Sequence, residues 1–254
     1  MVSADELPPY RAVLAVDAER YGSNTDPGQR RLAEAIPEVI RVAFAKSGLA
    51  GAWEERLYAQ DTGDGLGLCL DPRHLPALVA RLFGVLQEVL TARDVWMREA
   101  DRALRLRLRA ALHVGPVLQP GGGRALVTAH RLLDAAPLRD ALKRSDPDRT
   151  FLAVILSNRV HDDVIAAGYA TLPTTPVDVH IKEYEAAAHL HIPHPTGDLL
   201  ASGLVPAAPD PTPPPPPQPR QDPRLAPVHN VITGGQHSGT TIQVGHLHGG
   251  LKNA

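Results

Sequence analysis

Two aspartates stand where the chain must turn and where a carboxylate can be offered to solvent. Asp17 closes the short apolar run Tyr10 to Val16, and Asp64 lies in Asp61-Thr62-Gly63-Asp64-Gly65, a turn built of Gly and Asp residues. Carboxylate oxygens are the ligands that hard cations such as Mg²⁺ choose, and such cations usually also hold substrate phosphates. Two ions about 3.5–4 Å apart can activate an attacking oxygen and steady the leaving one. Aspartates also serve simply to fold turns. The meaning of the pair therefore depends on the elements that carry it.

Those elements follow from the spacing of apolar residues. Tyr10 to Val16 reads as a buried strand. Leu32, Ile36, Val39, Ile40 and Ala43 mark one helical face that stops at Gly48, with Pro37 predicted to bend or restart the helix. Trp53 to Gln60 and Leu66 to Leu70 flank the Gly/Asp turn as a hairpin. Asp71-Pro72 is a helix start, followed by the face Leu75, Leu78, Leu82, Val85, Leu86 and Val89. Leu104 to Val114 alternates Leu, Ala and Val with Arg105, Arg107, Arg109 and His113, a period of two and hence a strand. The order is βαββαβ, a ferredoxin-like core of the α+β class with a largely antiparallel sheet, in which the strands bearing Asp17 and Asp64 can be neighbours. A helix near 130–143, a strand near 150–156, a helix near 158–167 and strands 177–182 and 188–192 complete the body.

Other chemistry-bearing residues fit simpler roles. His189, His191 and His194 cluster near a strand end without a Cys or carboxylate to complete a metal set. The Arg105, Arg107, Arg109 stripe suits a solvated strand face or pairing with carboxylates. Ser157 and Cys69 lack the partners of a nucleophile, and no Gly-rich phosphate loop of the Walker type is present.

Three segments occur in a telling order: Val16-Asp17-Ala18-Glu19-Arg20-Tyr21-Gly22-Ser23, then Gln60-Asp61-Thr62-Gly63-Asp64-Gly65, then Arg109-Ala110-Ala111-Leu112-His113-Val114-Gly115-Pro116-Val117. Together they resemble motifs of the class III adenylate/guanylate cyclase catalytic domain, over roughly residues 10–193. The resemblance implies that Asp17 and Asp64 hold two Mg²⁺ or Mn²⁺ ions around ATP or GTP. The ribose 3′ oxygen would then attack the α-phosphate and expel pyrophosphate. It also implies a head-to-tail homodimer, because that family's sites join metal aspartates from one partner with an arginine from the other. Gln60 stands where the family selects its base with Lys or Glu. Arg131 stands in the place of the charge-stabilising arginine, Lys182 matches a later basic residue, and Val127 replaces an orienting asparagine. The alternatives are an active cyclase, a nucleotide-binding domain without turnover, and an inactive adaptor whose body makes protein contacts.

Composition sets the outer bounds. The chain has 254 residues, 43% hydrophobic and 21% charged, with 26 Lys plus Arg against 28 Asp plus Glu. That balance argues against a nucleic-acid protein driven by bulk charge. One cysteine excludes an internal disulfide, and no apolar run or basic leader points to a membrane span or a signal peptide. The expected location is cytoplasmic. Of 25 prolines, 11 fall between Pro206 and Pro227, so 197–227 reads as an extended, disordered linker between a body (8–196) and a tail (228–254). The tail has no Asp, Glu, Lys or Arg from Leu225 to Leu251 and is rich in Gly. Its segment Thr240 to Gly245 has the composition of a steric-zipper strand. Ile242-Gln243-Val244-Gly245 resembles the core of the RIP homotypic interaction motif and of related bacterial amyloid-signalling motifs, which implies homotypic assembly. A flexible glycine-rich tail is the other reading.

Overall fold

Strand β1 (Tyr10–Ala18) is buried on both faces, which is why its sequence runs apolar without alternation. In this computed structural model, residues 6–118 and 121–204 are described. The tail, and all but the first residues of the predicted linker, lie outside the described residues. After β1 come α1 (Asp26–Lys46), α2 (Ala50–Glu54), β2 (Tyr58–Asp61) and β3 (Gly65–Leu70). A helical run then begins at Pro72 and passes through α3 (Leu75–Ala77) and a π turn (Leu78–Leu82) into α4 (Phe83–Ala100). β4 (Leu108–Pro116), α5 (Arg124–Leu133), α6 (Ala136–Arg144) and β5 (Leu152–Ser157) follow. The described chain ends with α7 (Asn158–Val160), a π turn (His161–Ala166), β6 (Thr175–Ile181), β7 (Tyr184–His191) and α8 (Asp198–Ser202).

The seven strands form one sheet in the order β2-β3-β1-β4-β5-β7-β6, antiparallel at every pairing except β4 with β5. The first four strands therefore reproduce the ferredoxin-like βαββαβ arrangement, with β3 inserted beside β1. One face is covered by α1 and the Pro72–Ala100 run, where Leu32, Ile36, Phe44, Leu78, Phe83 and Leu86 pack against Leu14, Leu68 and Leu112. The other is covered by α5 and α6 through Ala129, Leu132, Leu138 and Leu142 over Ala111, Ala153 and Ile155. The buried Gln87 joins helix to sheet, its Oε1 accepting from the Phe151 and Leu152 amides at 2.9 and 3.0 Å. By length and composition the Pro72–Glu99 run, with a mean hydropathy of 1.4 over its apolar window, could cross a membrane. Its apolar side is spent on the core.

Several boundaries differ from the sequence reading for local reasons. Helix α1 runs unbroken through Pro37, because Ala35, Ile36, Val39 and Ile40 on either side of the proline are all buried and hold both halves to the sheet. Trp53 belongs to α2 rather than to a hairpin strand, its ring 5.5 Å from that of Phe44 and with the Arg56 guanidinium over it. The expected helix 130–143 is two helices, because Pro137 suits the first turn of a new helix and not the interior of an old one. β4 begins at Leu108, since Arg105 and Arg107 turn aside to pair with carboxylates. The body extends past residue 196: Leu199 of α8 is buried, and Arg144 bonds Asp198 and the Gly203 and Leu204 carbonyls.

Candidate metal and nucleotide site

Asp17 lies opposite Gly65 on β3 and opposite Arg109 on β4. Residues directly paired across antiparallel strands share a face, so the Arg109 side chain rises beside the carboxylate. It donates from Nε to Oδ1 at 2.8 Å and from a terminal nitrogen to Oδ2 at 2.6 Å, a bidentate pair. On the other flank glycine is obligatory: a Cβ at Gly65 would come 2.1 Å from the Val16 carbonyl oxygen. Asp64 precedes Gly65 in a turn closed by Asp61 accepting from the Gly63 amide, and its carbonyl accepts from the Ala18 amide at 2.8 Å. Asp17 and Asp64 thus occupy adjacent segments at one end of the sheet.

The electrostatics of this corner are dominated by burial. Loss of water pushes the Asp17 carboxyl up from 3.8 to about 6, against the pull of Arg109, and the Asp64 and Asp134 carboxylates push the same way. Asp134, just past the end of α5, is a third acidic group of this corner. Among the described residues no cluster of three or more His, Cys, Asp or Glu is placed to hold a metal. Two adjoining carboxylates have the donor chemistry of a hard-cation site, provided Arg109 yields the Asp17 oxygens.

The remaining predicted residues fall into two places. Gln60 is paired with Gly67, which is paired with Ala15, so it shares the Asp17 face on the exposed edge strand, its Oε1 accepting from the Tyr58 hydroxyl at 3.0 Å. Arg131 ion-pairs with Glu183 and lies over the Tyr184 ring, and Lys182 occupies the same β6–β7 turn in a left-handed conformation (φ 52°). That turn is the far end of the sheet. The register carries Asp17 through Arg109 and Ala153 to a level just past His191, whereas Glu183 precedes Tyr184. The two levels differ by the eight residues of β7, or roughly 26 Å at 3.3 Å per residue. Val127, one turn before Arg131 on α5, is half exposed.

Arg109 and Asp134 were not singled out for this corner by sequence. The pairing of Arg109 depends on a register between segments 92 residues apart. A strand alternating Arg with apolar residues, facing a strand that ends in Asp, was the available signal. Arg105 and Arg107 likewise meet carboxylates: Arg105 bonds Asp94 and Asp148, and the buried Arg107 bonds Glu19 at 2.6 Å. His189 and His191 project from one face of β7 but serve separately. The His189 ring stacks on His161 with 3.6 Å between centroids, and His191 pairs with the Pro173 carbonyl.

No family model and no curated protein matches this chain. Among solved structures it is similar to an adenylate/guanylate cyclase/hydrolase from Silicibacter pomeroyi, at 20% identity over 72% of this chain and 94% of that one, with a TM-score of 0.48. It is similar also to the adenylyl cyclase CyaB from P. aeruginosa, at 13% identity over 71% and 93% with a TM-score of 0.46. A guanylyl cyclase domain of a RhoGC fusion protein from Blastocladiella emersonii shows 12% identity over 74% and 99%, with a TM-score of 0.46.

Proposed function

We propose that this protein is a cyclase-like signalling module whose Asp17 and Asp64 take divalent metal, Mg²⁺ or Mn²⁺, together with the phosphates of ATP or GTP. The observation that supports this reading is the Asp17–Gly65 register, which brings Asp64 to the same end of the sheet as Asp17, near enough for its charge to act on the Asp17 carboxyl. Metal bound there would supply positive charge to the triphosphate and polarise the attacking oxygen. Gln60, on the same face, offers a donor and an acceptor without charge, so it can bond either an adenine or a guanine edge. Arg131 and Lys182 are grouped with Glu183 about the β6–β7 turn. In a head-to-tail pair, a second copy would present them to the carboxylates of the first.

Two observations favour binding with little or no turnover, the adaptor reading. Arg109 holds both Asp17 oxygens, so metal has to compete with a bidentate guanidinium. Val127 offers no hydrogen bond where the resembled family orients the ribose. Phosphoryl transfer depends mainly on positioning and charge stabilisation, so one lost polar contact costs on the order of 10²–10³ in rate. The tail completes the proposal: Ile242, Gln243, Val244 and Gly245 assemble with the same segment of other chains and gather the bodies.

The test is Mn²⁺-dependent nucleotide binding by the full chain, with a parallel assay for cyclic product. Asp17→Ala and Asp64→Ala should each abolish the binding while the melting transition persists. Variants that bind as well as the parent would sink the metal site. Product from the parent at about 1–10³ s⁻¹ would sink the adaptor reading.

A further inference from the structure

Beside the carboxylate corner, a cleft of about 480 Å³ opens between the segment after β1, β4 and α6. Five cations line it: Arg20, Arg107, Arg109, Arg139 and Lys143. Two of them are committed. Arg107 bonds Glu19, the Thr150 and Leu142 carbonyls and the Ser145 hydroxyl, while Arg109 holds Asp17. Arg20, Arg139 and Lys143 are exposed and have no ion-pair partner among the described residues. The one carboxylate left among the lining residues is Asp140, so three cations less one anion leave an excess of two positive charges.

The placement of these three is not the one a solvated surface would favour. Arg139 and Lys143 are four residues apart on α6, side by side, where like charges repel and destabilise a helix. Arg144, the next residue, points elsewhere and is tied to Asp198. Arg20 faces them from a left-handed backbone position (φ 56°), and its carbonyl is fixed by the Ser23 amide and hydroxyl and the Asn24 side chain. A small multivalent anion between them would turn three mutual repulsions into three attractions. The volume suits a small molecule and excludes a nucleic-acid duplex.

We propose that this cleft binds the diphosphate or triphosphate group of a small polyanion through Arg20, Arg139 and Lys143, and does so without metal. The chemistry is that of guanidinium and ammonium groups on phosphate oxygens, and it requires at least two negative charges on the ligand. Free pyrophosphate or tripolyphosphate and the phosphate tail of a nucleotide share that chemistry. The site does not depend on Asp17 and Asp64 holding metal.

Calorimetry on the full chain in EDTA, with pyrophosphate, tripolyphosphate and ATP in turn, tests it. Pyrophosphate should bind, with affinity falling as salt rises. Arg139→Ala with Lys143→Ala should weaken it at least tenfold, and Arg20→Ala should weaken it less. Asp17→Ala should lose Mn²⁺-dependent nucleotide binding and keep pyrophosphate binding in EDTA, which separates this site from the metal pair. ATP binding as tightly as tripolyphosphate identifies a nucleotide tail as the ligand, and ATP binding tenfold weaker identifies the free polyanion. No pyrophosphate binding at millimolar concentration, or a double variant within twofold of the parent, overturns the proposal. Both substituted side chains are exposed on α6, so circular dichroism of the double variant should match the parent.

Discussion

Val127 and Arg131 stand one turn apart on α5, and the first is the plainest candidate for a missing catalytic contact. Val127→Asn should raise cyclic-product formation about tenfold or more in the presence of Mn²⁺, and Arg131→Ala added to it should remove the gain. An asparagine variant without product would show that α5 does not face a substrate. His113 supplies a prediction of stability. Burial, assisted by the Arg159 charge, pushes its imidazole down from 6.5 to about 4, and its Nδ1 is buried without a partner. The folded state therefore resists protonation that the unfolded chain accepts. The stability this contributes is fully present above pH 6.5 and is lost as pH falls towards 4, on the order of 3 kcal/mol. His113→Gln should flatten that part of the profile in urea unfolding at pH 7 and pH 4.5. Equal pH dependence in parent and variant would contradict it.

At the scale of elements, the proposed site rests on the β1–β3 pairing. Gly65→Ala would set a methyl 2.1 Å from the Val16 carbonyl oxygen and 3.0 Å from the Asp17 Cα, so β3 has to move away from β1. The expected result is a loss of stability of about 1–3 kcal/mol together with weakened Mn²⁺ binding, measured by denaturation and metal titration. A Gly65→Ala protein with parental metal affinity would show that the two carboxylates do not act together. The same pairing explains what could be read in advance. That Asp17 and Asp64 belong to neighbouring strands was legible because βαββαβ order places β1 beside β3, and the apolar spacing reads as that order. The Arg109 clamp was not, since it depends on which residue of β4 meets Asp17, a choice made by the packing of whole strands. Pro37 misled for a related reason: a helix's local rule yields when buried side chains before and after it are held by the same core. The break before α6 went unread although Pro137 marked it, because the apolar face continues across it.

Taken whole, the folded body carries its proposed chemistry in separate places: a carboxylate pair, a basic cleft beside it, and a basic turn at the far end of the sheet. Such a division suits a protein that works in company. The proposed assembly of the tail would supply the means. A peptide of residues 228–254 should assemble at high concentration with cross-β diffraction near 4.7 Å, and Gln243→Asp with Val244→Asp should prevent it, because stacked like charges repel at every rung. A peptide that stays monomeric, or a charged double variant that assembles equally well, would leave only a flexible tail.

The two outer strands of the sheet then acquire a second significance. β2 has four residues, three of them exposed, and β6 presents Pro176, Asp178 and His180 to solvent in alternation. Short, charged and proline-bearing borders are poor templates for recruiting another extended chain. A body joined to the proposed stacking segment needs its own sheet to be inert as a seed. With such borders, filament growth would be confined to the tails while the bodies hang from it still folded and still able to bind.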